Sequence, residues 1–189
     1  MLMMAASAAL AVLLQPLINR LAGVYALKFP YAFLGWVGLY TVRILAGSAA
    51  TNVPVSTWLA GFSVFFFLSL AFVKRFSELE GLRERGITVT SGRGYLVGDL
   101  EQLRALGTGA AYAAVLIMTL FIRDPETRRL YRHPYLLWLV IPVLLLWLSQ
   151  VWMLASRGEM HDDPVVFAIT DKRSLLLGVL MAVVIWWAL

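Results

Sequence analysis

The sequence contains no cysteine, which excludes disulfides, thiolate metal sites and cysteine nucleophiles. Charge is also scarce: Asp, Glu, Lys and Arg make up 14% of 189 residues, against about 25% in an average soluble domain. No basic n-region or small-residue cleavage site stands at the start, so the opening MLMMAASAALAVLL reads as a membrane helix rather than a signal peptide. Internal repeats, low-complexity stretches and coiled-coil heptads are absent as well. What is abundant is apolar. Hydrophobic residues reach 61% and mean hydropathy is +0.80, which excludes a disordered chain and argues that much of this surface faces lipid.

About 20 apolar residues are needed to cross the hydrocarbon core. Six segments approach that length: Leu2 to Leu27, Tyr31 to Ala50, Ser56 to Val73, Leu106 to Ile122, Tyr135 to Ala155 and Ser174 to Leu189. In lipid every backbone group must be satisfied within its own segment, so these are expected as helices. The expected fold is an all-α, polytopic transmembrane helix bundle of about six helices, forming a single integral membrane domain over residues 1–189.

The net charge is +5. Because the basic residues flank apolar runs, membrane topology accounts for them better than nucleic acid, and no nucleic-acid partner is expected. Loops on one face carry ten Lys and Arg (Lys28, Lys74, Arg75, Arg83, Arg85, Arg93, Arg104, Arg157, Lys172 and Arg173), and loops on the other carry four (Arg123, Arg128, Arg129 and Arg132). The bias assigns the first face to the cytoplasm, in a multi-pass protein of the plasma membrane. Trp138, Trp147, Trp152, Trp186 and Trp187 fall mostly near helix ends, where interfacial aromatic belts are expected.

Candidate chemistry concentrates on the cytoplasmic face. The stretch KRFSELEGLRERG continues the third segment with no breaker before Gly81, so Lys74–Glu78 at i,i+4 and Arg75–Glu78 at i,i+3 share a helical face. These pairs read either as parts of a site or as exposed ion pairs at a helix end. In TSGRGYLVGD, Arg93 and Tyr95 lie among glycines, a composition able to bring backbone N–H groups and a guanidinium to a phosphate. In RGEMHDDPVVFAITDKR, the carboxylates Asp162, Asp163 and Asp171 supply the hard oxygen ligands that Mg²⁺ takes, or else cap the last helix. His161 reads as a base, a ligand or a plain loop histidine. Arg43 lies inside an apolar segment, which marks it as a functional candidate. Tyr25 and Lys28 stand at i,i+3, with snorkelling as the simpler account of Lys28.

The stretches GLYTVRILAGSAATNVPVSTWLAGFSVFFFLSLAFVKRFSEL, RGYLVGDL and RGEMHDDPVVFAITDKRSLLLG, which span most of residues 36–178, resemble the UbiA superfamily of membrane-embedded prenyltransferases. The subgroup is the one near decaprenyl-phosphate phosphoribosyltransferase. The resemblance implies the C-terminal part of a nine-helix fold that binds Mg²⁺ and a diphosphate. Tyr25-x-x-Lys28 resembles the family's Y-x-x-K element, and Lys74 to Glu78 take the place of its second acidic motif. The implied catalytic residues are Lys74, Glu78 and Asp162. The implied substrate-binding residues are Tyr25, Lys28, Arg43, Arg75, Arg93 and Tyr95, with Asp162, Asp163 and Asp171 toward the metal. The family's N-D-x-x-D-x-x-x-D motif does not occur in the sequence. The expectation is therefore a chain without the family's N-terminal third, whose missing helices a separate chain would bring.

Group transfer between a diphosphate donor (polyprenyl or phosphoribosyl) and an acceptor at the cytoplasmic face is thus the leading expectation. A basic pair at Lys74 and Arg75 suits a polyprenyl phosphate acceptor. The alternative is a non-catalytic membrane scaffold or half of a split enzyme. A transporter fits less well, since transporter sites lie near the bilayer midplane and the charges here gather at one face.

Overall fold

The computed structural model describes residues 56–86, 96–160 and 163–189. The segments Leu2 to Leu27 and Tyr31 to Ala50, with Tyr25, Lys28 and Arg43, lie outside these residues, as do Arg93, Tyr95, His161 and Asp162. The described residues are all-helical. Helix α1 spans Thr57–Glu84, α2 Leu100–Arg123, α3 Pro125–Arg129, α4 Val140–Ser156, α5 Pro164–Thr170 and α6 Lys172–Ala188, with 3-10 turns at Val97–Asp99 and Pro134–Leu139.

Three of the helices start at a side-chain cap. The Ser56 hydroxyl accepts the Leu59 N–H at the head of α1. Asp124 accepts the Thr127 N–H at α3, and Asp171 accepts the Ser174 N–H at 2.8 Å at α6. Helix α1 passes through Gly81, the expected breaker, and stops before Gly86, whose φ of +71° only glycine adopts without strain. At 28 residues it is roughly 42 Å long, well beyond a hydrocarbon core of about 30 Å. Its charged last third therefore projects past the apolar zone while remaining helical.

Three helical stretches are long and apolar enough to cross a membrane: Thr57–Glu84, Val97–Arg123 and Pro134–Ser156. Large apolar side chains stay exposed along them and along α6, among them Leu116, Leu146, Leu176 and Val179, as expected where lipid replaces water. Helix α6 has 17 residues, roughly 25 Å, which leaves it short of a full span by itself. The expectation of six spans is thus carried by three stretches among the described residues.

Helices α1 and α2 run antiparallel, with Gly61 against Ile117 and Phe72 against Gly107. Helices α4 and α6 also run antiparallel, since the His133 N–H before α4 donates to the Ala188 carbonyl at the end of α6 at 3.0 Å. The end of α1, the start of α2, the end of α4 and the start of α6 consequently gather at one end of the bundle. The core lies just inside that end, around Val73, Phe76, Leu79, Leu103, Leu148, Val151 and Ala155.

Two tryptophans depart from the expected interfacial belt. Trp147 and Trp152 are buried. The Trp147 indole donates to Ser174 Oγ at 3.0 Å, tying α4 to α6. The Trp152 indole donates to Ser69 Oγ at 3.0 Å, and that hydroxyl donates to the Gly107 carbonyl at 2.9 Å. One relay thereby joins α4, α1 and α2. A buried indole N–H must find a partner, and small residues on neighbouring helices let it do so. Trp138, Trp186 and Trp187 remain exposed, as a belt requires.

Candidate functional site

Along the projecting third of α1, Lys74, Ser77, Glu78, Gly81, Glu84 and Arg85 recur at intervals of three and four, so they form one stripe. Gly158, Met160 and Asp163, from the connection between α4 and α5, face that stripe across a groove of about 370 Å³. Local chemistry sets the opposing wall. Helix α4 ends in a turn in which the Gly158 N–H donates to the Ala155 carbonyl at 3.1 Å, with Gly158 at φ +71°. A Cβ at Gly158 would lie 2.8 Å from Glu84 Oε1, so the bare glycine lets the two walls approach. Beyond it the buried Pro164 opens α5 and fixes Asp163 just ahead of that helix.

The groove's central contact is the ion pair between Lys74 Nζ and Asp163 Oδ2 at 2.5 Å. These residues are 89 positions apart. The Lys74 and Asp163 side chains keep 38% and 28% exposure. Solvent therefore screens the pair, which contributes little to stability and can exchange partners. Next to it Arg75 pairs with Glu78 along α1, at the expected i,i+3 spacing. One turn on, Arg83 pairs with the buried Glu80, whose second carboxylate oxygen has no hydrogen-bond partner among the described residues. Ser77 Oγ, in the groove wall, has none either.

Of the expected site residues, Lys74, Glu78 and Asp163 come together in this groove. Arg75 sits beside it through Glu78. Asp171 is occupied as the α6 cap, the structural alternative for that aspartate. Among the described residues no group of three or more His, Asp and Glu converges as a metal cage. Ser77, Glu84, Arg85, Gly158 and Met160 were not singled out from the sequence. Their signal was the three-and-four spacing from Lys74 for the first three. Gly158 and Met160 enter only through tertiary contact.

Two curated proteins resemble the chain. An uncharacterized protein of Sinorhizobium fredii, y4nM, is 40% identical over 146 residues, covering 76% of this chain and 28% of that protein. The nodulation protein NoeC of Azorhizobium caulinodans is 36% identical over 148 residues, covering 77% of this chain and 48% of that protein. The chain thus spans half or less of the length of the curated relatives it matches. No family model matches the sequence, and no solved structure matches it either.

Proposed function

We propose that the protein belongs to a membrane-embedded, UbiA-like transferase. It would move a prenyl or phosphoribosyl group between a diphosphate donor and an acceptor at the cytoplasmic face of the plasma membrane. In this reading the bundle is polytopic with six helices, and both charged connections are cytoplasmic. A separate chain or segment supplies the first acidic motif. The observation that carries the reading is the Lys74–Asp163 contact, which brings two charged regions 89 residues apart into one groove.

Elementary chemistry supports the assignment. Lys74 and Arg85 place two cations along one wall of the groove, where each suits a phosphate oxygen. Glu78, Glu84 and Asp163 offer hard carboxylate oxygens nearby. Mg²⁺ is usually held by one or two carboxylates together with substrate phosphates rather than by an all-protein cage, so this donor set fits Mg²⁺ bound along with a diphosphate. When bound, the ion would neutralise charge on the leaving diphosphate. With a diphosphate present, Lys74 would exchange Asp163 for a phosphate oxygen, and the Asp163 carboxylate would be among those able to hold the ion. Arg75 stays anchored on Glu78 and holds that carboxylate in the wall.

Binding of pyrophosphate with and without Mg²⁺, measured on the chain in lipid nanodiscs, tests this. Lys74→Ala is expected to weaken binding roughly ten- to a hundredfold, Lys74→Arg to retain most of it, and Asp163→Asn to remove the Mg²⁺ dependence. The mutual pairing of the groove's charges favours a second reading, a non-catalytic scaffold stapled at this end. In that case no pyrophosphate binds to the chain or to any of the three variants, with or without Mg²⁺.

A further inference from the structure

A second groove, of about 400 Å³, runs along the outside of the bundle between α2 and α4 and shares no lining residue with the ionic groove. Its walls are mainly apolar: Ala111, Leu145, Leu148, Trp152 and Met153. Arg104 closes it at the end where the charged connections lie, with Ser156 opposite. The Arg104 guanidinium carbon lies 5.2 Å above the Phe76 ring. Its one ion pair among the described residues, to Glu101 at 3.5 Å, is with a carboxylate that is 79% exposed and therefore weak. Its Nε is buried with no hydrogen-bond partner among the described residues. A guanidinium held over a ring, partly exposed and only loosely paired is prepared for an anion.

The groove's length identifies what kind of anion. From Arg104 to Tyr112 along α2 is roughly 12 Å, and from Ser156 to Leu145 along α4 roughly 16 Å, at 1.5 Å per residue. One leaflet of a hydrocarbon core is about 15 Å deep. A cation at the polar end and an apolar trough one leaflet deep match a molecule with an anionic head and a hydrocarbon tail. Exposed Tyr112 and Met153 flank the opening, so the trough is reached sideways from the bilayer. We propose that the α2–α4 groove binds one anionic phospholipid of the surrounding bilayer, its phosphate on Arg104 and an acyl chain between Ala111 and Leu148. This site stands whether or not the ionic groove transfers a group.

Native mass spectrometry of the detergent-purified chain, titrated separately with phosphatidylglycerol, phosphatidylcholine and inorganic phosphate, tests the proposal. Phosphatidylglycerol is expected to remain bound at one copy, with phosphatidylcholine and inorganic phosphate retained far less. Arg104→Gln should weaken phosphatidylglycerol by about tenfold, the loss of one charge-assisted contact. Ser149→Trp, which fills the trough from an exposed position, should abolish retention while leaving helicity by circular dichroism unchanged. Pyrophosphate binding in the ionic groove should be untouched by Ser149→Trp, which keeps the two sites separable. Equal retention of both lipids, displacement of the lipid by millimolar phosphate, or indifference to both substitutions would overturn the proposal.

Discussion

Gly107 has no room for a side chain. A Cβ there would lie 2.1 Å from Trp152 Cζ2 and 2.8 Å from Phe72 Cβ, contacts that only movement of α4 or α1 relieves. Two residues on, Gly109 meets nothing within 4 Å. The two glycines therefore respond oppositely to alanine. Gly107→Ala is expected to destabilise by about 1–3 kcal/mol through overpacking. Gly109→Ala should be neutral or stabilise by up to roughly 1 kcal/mol, because alanine is the better helix former. Thermal unfolding in detergent of the two variants side by side checks this, and equal effects would refute the packing argument. Ser69→Ala belongs with Gly107. It strands the Trp152 indole N–H, a cost of about 1–3 kcal/mol, while the Gly107 carbonyl keeps its partner within α2.

At the scale of elements, the last helix depends on its cap. Asp171 satisfies a backbone N–H at the start of α6, and Ser174, the third residue of that helix, holds Trp147 of α4. Loss of the cap thus loosens both the turn and the α4–α6 tie. Asp171→Ala should cost about 1 kcal/mol, and Asp171→Asn, an equally good cap, should cost little. Were Asp171 a metal ligand, the asparagine variant would instead lose Mg²⁺-dependent binding while keeping its stability. Helix α1 shows a complementary economy. One continuous helix is uncharged across its first two turns and beyond to Val73, then carries six charged residues from Lys74 to Glu84, so a stretch apolar enough to cross a membrane and one wall of the groove belong to the same rigid body.

At the scale of the whole molecule, the antiparallel pairings bring the end of α1, Gly158, Met160 and Asp163 to one end of the bundle. The connection holding α3 lies at the opposite end. With the bias of ten cationic residues against four between the loop sets, reporter fusions after Arg85 and after Asp163 should both report cytoplasm, and one after Arg129 the outside. Opposite signals after Arg85 and Asp163 would contradict the Lys74–Asp163 contact itself, since residues on two sides of a membrane cannot form an ion pair.

Several features were legible in the sequence because they are local. Hydropathy over about 20 residues marks a span without reference to neighbours. Asp171 as a cap, one of its two sequence readings, and the i,i+3 pair of Arg75 with Glu78 each work within one turn of helix, so spacing alone offers them. The partner of Lys74 and the fates of the tryptophans did not follow, because they depend on which helix lies alongside. Trp147 and Trp152 look like belt residues by their nearness to helix ends. They are core residues because Ser174, Ser69 and the bare backbone of Gly107 face them from other helices. Lys74 has Glu78 within local reach, yet the antiparallel packing brings Asp163 to its ammonium group. Periodicity decided which residues share a face of α1, and tertiary packing decided what that face meets.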